Sequence, residues 1–183
     1  MNEQLKTQTH EELWGHCVDF HGHACPGLAW GYQASLYAIE LLGLSFSHDE
    51  EIVCISENDA CCVDAIQVVL GCSVGKGNLL FHMTGKLAFS FYNRDNGKSV
   101  RLVGRSLPEG DTKQQRLERM QAMNPEELFD VKPATIPLPE KAMLFGNRMC
   151  DGCGESTAEA FLHLQNGKML CPDCYRPYNR FQV

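Results

Sequence analysis

The chain has 183 residues, 44% of them apolar, and a formal net charge of −7 at neutral pH. That length suits one ordinary domain, or one domain with a small appendage, and the apolar content is sufficient for a packed core. The negative charge argues against a generic polyanion binder, because affinity for nucleic acid rests largely on Lys and Arg neutralising phosphates; no window reaches the roughly 18 uninterrupted apolar residues of a membrane span.

The first residues, MNEQLKTQTHEELW, contain no apolar signal core, so the expectation is a cytoplasmic protein. In that compartment ten cysteines point to metal binding or redox chemistry and away from a disulfide framework. Six precede residue 75 and four follow residue 149, which suggests two separate sites.

Thr9-His10-Glu11-Glu12 has the form of a capping box, and a helix over about 10–20 would align Leu13, Cys17 and Phe20 on one face. HGHAC then interrupts. Pro26 suits the first position of a second helix, which runs to Leu42 and stops at Gly43. Within it Gly27, Gly31, Ala34 and Ala38 recur at helical spacing and read as a face for close helix packing. EIVCIS (51–56) reads as a strand, CCVDAIQVVLG (61–71) as a short helix, and NLLFHM (78–83) with KLAFSFYN (86–93) as a hairpin around Thr84-Gly85. A strand at 98–104, a helix at 111–123 and a fresh helix start for EELFD at Asn124-Pro125 follow. Pro133, Pro137 and Pro139 then suggest an extended connector, which divides the chain into 1–140 and 141–183.

The strongest motif lies at the end. Cys150-x2-Cys153 is followed by Cys171-x2-Cys174, a spacing that supplies four thiolates for tetrahedral Zn²⁺. Between the pairs, AFLHLQNGKML reads as a hairpin turning at Asn166-Gly167. Four cysteines close the coordination shell, so this zinc would be structural, and in so short a segment it would supply folding energy outright. Residues 141–183 hold five Lys/Arg against four Asp/Glu, a charge of +1, on a body of −8. A protein-facing or domain-docking role therefore fits better than nucleic-acid binding.

The second constellation is spread over three segments. His21, His23 and Cys25 alternate, so an extended loop would turn all three to one side. Cys25 sits before the helix that Pro26 begins, where the helix N-terminus favours the thiolate that binds metal or attacks. In ENDACCVDAIQ, Cys61, Asp64 and Gln67 share one helix face, and Val63, Ile66 and Leu70 form the opposite, core-facing stripe. Cys17 and Cys54 read as core residues. GCSVGKGN (71–78) is one residue short of a phosphate-binding loop and follows a helix where that loop leaves a strand. As a glycine-rich turn it could still offer Lys76 and backbone amides to an anionic substrate.

Together these segments resemble one family, the E subunit-like proteins of formylmethanofuran dehydrogenase (FmdE). The resemblance runs through FHGHACPG at 20–27, CxxDAIQ at 61–67, GCxxGKGNL at 71–79 and GKLAFSF at 85–91. It implies an α+β core of helices on an antiparallel sheet, a homodimer, and a small treble-clef-like zinc module. It also implies an active site built from the His/Cys motif and Cys61, and a link to subunits of a molybdenum or tungsten oxidoreductase. No cluster-type C-x2-C-x2-C spacing accompanies it.

Two expectations follow. In the first, Cys25 and Cys61, with His21 or His23, hold a second divalent metal, zinc by the softness of the thiolates, with a position open for chemistry. Asp64 then orients a ligand or acts as general base, the other histidine handles protons, and Gln67, Lys76 and Asn78 bind substrate. In the second, the protein is a non-catalytic accessory, scaffold or regulator that uses its zinc module to bind a protein or nucleic acid.

Overall fold

The structure, a computed structural model, describes residues 9–181. It divides into two compact units, residues 1–142 and 143–183. No helix among the described residues is long and apolar enough to cross a membrane.

The first unit is a mixed α+β domain. Among the described residues its helices are α1 (His10–His21), α2 (Pro26–Leu42), α3 (Cys62–Leu70), α4 (Lys113–Ala122) and the single turn α5 (Pro125–Leu128). The strands are β1 (Ile52–Ser56), β2 (Leu79–Phe81), β3 (Ala88–Asn93), β4 (Ser99–Gly104) and β5 (Phe129–Lys132). They form one sheet in the order β2-β1-β3-β4-β5. Every pairing is antiparallel except β1 with β2, which is parallel.

Local chemistry accounts for the helix ends. Thr9 and Glu12 make the capping box of α1, and Thr112 with Gln115 makes that of α4. α2, α1 and α3 end at Gly43, Gly22 and Gly71, all with positive φ, the conformation that costs glycine least. Cys17, Leu28, Ala34, Ile66 and Val69 from the helices pack on Cys54, Phe89, Phe91 and Leu102 of the sheet in one core. The other sheet face carries Val53, Ile55 and Tyr92, covered by Ala134 and Ile136 of the proline-rich segment. The Tyr92 hydroxyl donates to the Ile136 carbonyl at 2.6 Å, so the expected connector is in part a strap across the sheet. With both faces covered, β1 and β3 are buried at every residue.

Three sequence expectations change. NLLFHM and KLAFSFYN do not form a hairpin with each other: β2 and β3 flank opposite sides of β1. Residues 82–87 cross the end of β1, where the Ser56 and Glu57 carbonyls accept the amides of His82, Thr84 and Gly85. The Glu57 carboxylate fixes that crossing by accepting Thr84 Oγ1 at 2.8 Å and Arg101 Nε at 2.6 Å. Second, EELFD is helical only to Leu128; Phe129 starts an edge strand because it pairs with Gly104. Third, Phe20 is 58% exposed, because α1 lies with Cys17 inward and ends at the surface.

The loop before β1 is organised by one carboxylate. Glu51 accepts the Asp49 amide at 2.9 Å and the Ser47 hydroxyl at 2.8 Å. The Asp49 amide, its own amide, the Ser47 hydroxyl and nearby His48 together outweigh partial burial and bring its pKa from 4.5 to about 2. The folded value lies below the unfolded one, so this group stabilises the fold above pH about 4.5, and the contribution is lost as pH falls towards 2. Glu51→Gln should therefore flatten the acid side of a thermal-stability profile between pH about 5 and 2. Wild type and variant losing stability in parallel over that range would refute this role.

The second unit holds two short hairpins. β6 (Asn147–Met149) pairs with β7 (Ser156–Ala158), and β8 (His163–Gln165) with β9 (Lys168–Leu170). A 3-10 turn at Glu159–Phe161 separates them. Asn166 and Gly167 both have positive φ, the requirement of a tight two-residue hairpin turn, as the sequence indicated.

Candidate metal centre

In the first unit the chain reverses at Gly22 and delivers Cys25 to the N-cap of α2, with Pro26 as the first helical residue. The Cys25 sulfur accepts the Leu28 amide at 3.3 Å, so the thiol caps the helix and faces its positive end. Cys61 occupies the N-cap of α3. The two helices bring these caps together because glycine faces the contact. A Cβ on Gly27 would lie 3.1 Å from Cys61 Cβ and 3.7 Å from Cys25 Sγ.

The last residue of α1 completes the group. His21 Nδ1 lies 2.7 Å from Asp64 Oδ2, and its Nε2 lies 3.8 Å from Cys25 Sγ. A carboxylate on one ring nitrogen holds the ring in the Nδ1–H tautomer and turns the Nε2 lone pair outward, the arrangement that supports metal-ligating histidines. Gln67 holds Asp64 in turn, Nε2 to Oδ1 at 3.2 Å. The His23 ring lies beside that of His21, tilted by 34° with centroids 4.7 Å apart. The ligand atoms of His21, His23 and Cys25 all lie within 4.8 Å of one another. For tetrahedral zinc, Zn–N and Zn–S bonds of about 2.0 and 2.3 Å give an N···S separation of about 3.5 Å; the observed 3.8 Å is compatible.

The cysteines sort by environment. Burial pushes Cys17, Cys62 and Cys72 up to about 12 and Cys54 also well up, which leaves them as packing groups. Burial and the neighbouring Cys25 sulfur raise Cys61 as well, but it sits at the site and is only half-buried.

The hydrogen bonds of Asn78 and Lys76, both expected to bind substrate, go to other loops. Asn78 is fully buried. Its amide donates to the Asp49 and Ile52 carbonyls at 2.9 and 3.0 Å, and its oxygen accepts the Ser73 amide at 2.8 Å. It ties two loops together and has no face for a substrate, because burying an amide requires that its bonds be made within the protein. Lys76 Nζ donates to the Ser47 carbonyl at 2.7 Å and stands 5.7 Å over the Phe46 ring, beyond the His21–Cys25 group. Phe20, expected on an inward helix face, and Phe46 flank that region; an isolated exposed aromatic carries no sequence signal.

In the second unit, Cys150, Cys153, Cys171 and Cys174 form a group whose sulfurs all lie within 4.8 Å. Cys153 and Cys171 sulfurs are 3.9 Å apart, close to the roughly 3.8 Å edge of a tetrahedron with 2.3 Å Zn–S bonds. Cys150 Sγ accepts the Cys171 and Gly152 amides at 3.2 and 3.3 Å. Amide donation from Cys171, then Cys153, outweighs desolvation and lowers Cys150 to about 6. Glycine is required at 152, where a Cβ would stand 2.8 Å from Cys174 Sγ. These residues fit a structural cation, with zinc the choice of four thiolates.

Fold and site thus define a two-layer α+β domain with an imidazole–thiol group at two helix N-termini, joined to a four-cysteine module. The chain belongs to the FmdE family: residues 20–134 match the family described as "FmdE, Molybdenum formylmethanofuran dehydrogenase operon". It is 31% identical over 171 residues to a "Probable S-adenosyl-L-methionine-binding protein" of Archaeoglobus fulgidus, covering 75% of this chain and 46% of that protein. The chain therefore spans about half the length of that curated relative. Among solved structures it resembles an FmdE-like protein of the tungsten formylmethanofuran dehydrogenase type from Syntrophus aciditrophicus, with a TM-score of 0.70 and 22% identity over 92% of this chain and 93% of that one. That likeness establishes the shared fold.

Proposed function

We propose that this FmdE-type protein is a two-metal protein: a structural zinc in the four-cysteine module, and a second divalent cation, of the zinc class, held in the core domain by His21 and Cys25 with His23 or Cys61. The observation that carries the reading is the His21 ring, held at Nδ1 by Asp64 while Nε2 faces the Cys25 sulfur. Surface histidines rarely meet both conditions at once, and together they are what a ligating histidine needs.

A cation there supplies Lewis-acid activation of a substrate heteroatom. Asp64 fixes the tautomer and bearing of His21, and Gln67 fixes Asp64. His23 is exposed and is the group placed to exchange protons with solvent, its ring beside that of His21. The Cys25 sulfur caps the α2 N-terminus and accepts the Leu28 amide at 3.3 Å. In this reading the substrate is a small molecule that reaches the site from solvent. The family description supports a working place beside oxidoreductase subunits; a homodimer is part of the same reading, and light scattering tests it.

Metal analysis of the purified full chain is expected to give about two equivalents of metal per chain, falling to about one in Cys25→Ser. Asp64→Asn should keep the fold and weaken the core metal by 10–100-fold, the usual effect of removing a carboxylate that supports a ligating histidine. With Co²⁺ in place of the native metal, Cys25→Ser should remove the core share of the thiolate-to-cobalt absorption. A wild-type chain that takes up a single equivalent, or a Cys25→Ser chain that keeps both, refutes the core metal.

A further inference from the structure

Beside the His21–Cys25 group the surface is hollowed into an open depression of about 360 Å³, within the size range of small-molecule sites. Phe20, Phe46 and Val68 give it apolar walls, and Gln67 and Lys76 are the long polar side chains that line it. The two helices that carry the candidate metal ligands also carry this hollow. Phe20 immediately precedes His21 on α1. Gln67 is one turn beyond Asp64 on α3 and bonds to it at 3.2 Å. The depression therefore begins where the chain Gln67–Asp64–His21 ends.

One wall of the depression is built around a fixed cation. Lys76 is anchored through the Ser47 carbonyl at 2.7 Å and lies over the Phe46 ring at 5.7 Å, which leaves two of its three ammonium donors uncommitted by that bond. Phe46 can stand there because residue 71 is glycine: a Cβ at that position would come within 2.9 Å of the ring. Phe20, on the same depression, is 58% exposed and would be replaceable by a polar residue without loss of core.

The geometry points to this depression as the substrate pocket of the core site, taking a small organic monoanion with an apolar body. Its carboxylate-like end meets Lys76, its body lies between Phe20, Phe46 and Val68, and its reactive end reaches His21 and Cys25. A single ammonium suits a monoanion, because a phosphate ester would call for several convergent donors. Asp64 and Gly71 are seven residues apart, so about 10 Å of α3 separates the partner of His21 from the Gly71 wall of the depression. Lys76 and Phe20 are thus specificity residues for the function proposed above; the inference rests on that reading for the reactive end alone.

The test uses the Co²⁺-loaded full chain and two probe series of graded length, ω-mercaptoalkanoates and the matching neutral ω-mercaptoalcohols. Arrival of the probe thiol is read as added thiolate-to-cobalt absorption. At the best length the carboxylate should bind about tenfold more tightly than the alcohol. Lys76→Met should abolish that preference and Lys76→Arg should restore it, both with the cobalt band of the protein ligands intact. Phe20→Ser, at an exposed position, should weaken acid and alcohol alike, and it decides the matter if Lys76→Met does not fold. Calorimetry with 4-phenylbutyrate, which has the anion and the apolar body, on Cys25→Ser separates the two claims. Phenylbutyrate binding to Cys25→Ser that depends on Lys76 would sustain the pocket whatever the metal does, and a wild-type chain that takes up no core cobalt would end the metal reading alone. Core cobalt uptake with equal affinity for acid and alcohol would overturn the pocket.

Discussion

Cys150→Ser is expected to unfold residues 143–183, together with loss of one metal per chain. The unit has almost no core of its own: among its described residues only Cys150, Leu170 and Cys171 form a buried apolar cluster, with Leu162 and Tyr175 packed against them. Met149, Phe161 and Leu164 are 60% exposed or more. So little buried apolar surface cannot by itself offset the conformational entropy lost on ordering the unit. Structural zinc supplies on the order of 10 kcal/mol in modules of this kind. Strong chelation should have the same effect, seen as protease cutting confined to 143–183 while 9–142 stays resistant. Continued resistance of that segment after complete metal removal would show that the four cysteines do not hold the unit together.

Gly31→Ala should be the most damaging single methyl in the core domain. The added Cβ would stand 2.6 and 2.8 Å from the carbonyl carbon and Cα of Cys62 and closer still to its oxygen. Those are backbone atoms in the first turn of α3, so no side-chain rotation relieves them. α2 and α3 must part, and they make the most extensive helix contact in the unit. Overpacking of this kind costs about 3 kcal/mol, roughly 10 °C in melting temperature for a domain of this size. Because the Cys25 and Cys61 caps meet across the same contact, bound core metal should fall in parallel. Gly15→Ala is the contrast. Gly15 lies inside α1 with open space around its Cβ position, so the substitution should stabilise by up to about 1 kcal/mol. A melting temperature for Gly31→Ala within a degree or two of wild type would mean the helices are not in the contact described.

Signals carried within a few residues were legible in the chain itself. Thr9 with Glu12, Pro26, Gly43 and Gly71 marked helix ends, because capping and positive φ are local demands that few residue types meet. The CxxC pairs and Asn166-Gly167 marked the four-cysteine group and its hairpin, because thiolate spacing and a primed turn are equally local. The spacing of Gly27, Gly31, Ala34 and Ala38 announced a close helix contact without naming its partner. Only the tertiary structure supplied that partner, the first turn of α3, and with it the meeting of Cys25 and Cys61.

Other features depended on distant pairing and could not be read in advance. NLLFHM and KLAFSFYN have the alternation of a hairpin, but β1 takes both as neighbours, since the Ser56 and Glu57 carbonyls capture the intervening amides. Phe129 looked helical and became a strand through Gly104. Asn78 and Lys76 stood in one polar, glycine-rich turn and looked alike; folding buried the first among the Asp49 and Ile52 carbonyls and left the second at a surface hollow. The kinds of residue available for chemistry were thus determined by the sequence, through short-range constraints on capping, turns and ligand spacing. Which of them face one another, and which are spent on holding loops together, was decided by the tertiary structure. Burial and long-range hydrogen bonds depend on segments tens of residues apart, and no local pattern encodes them.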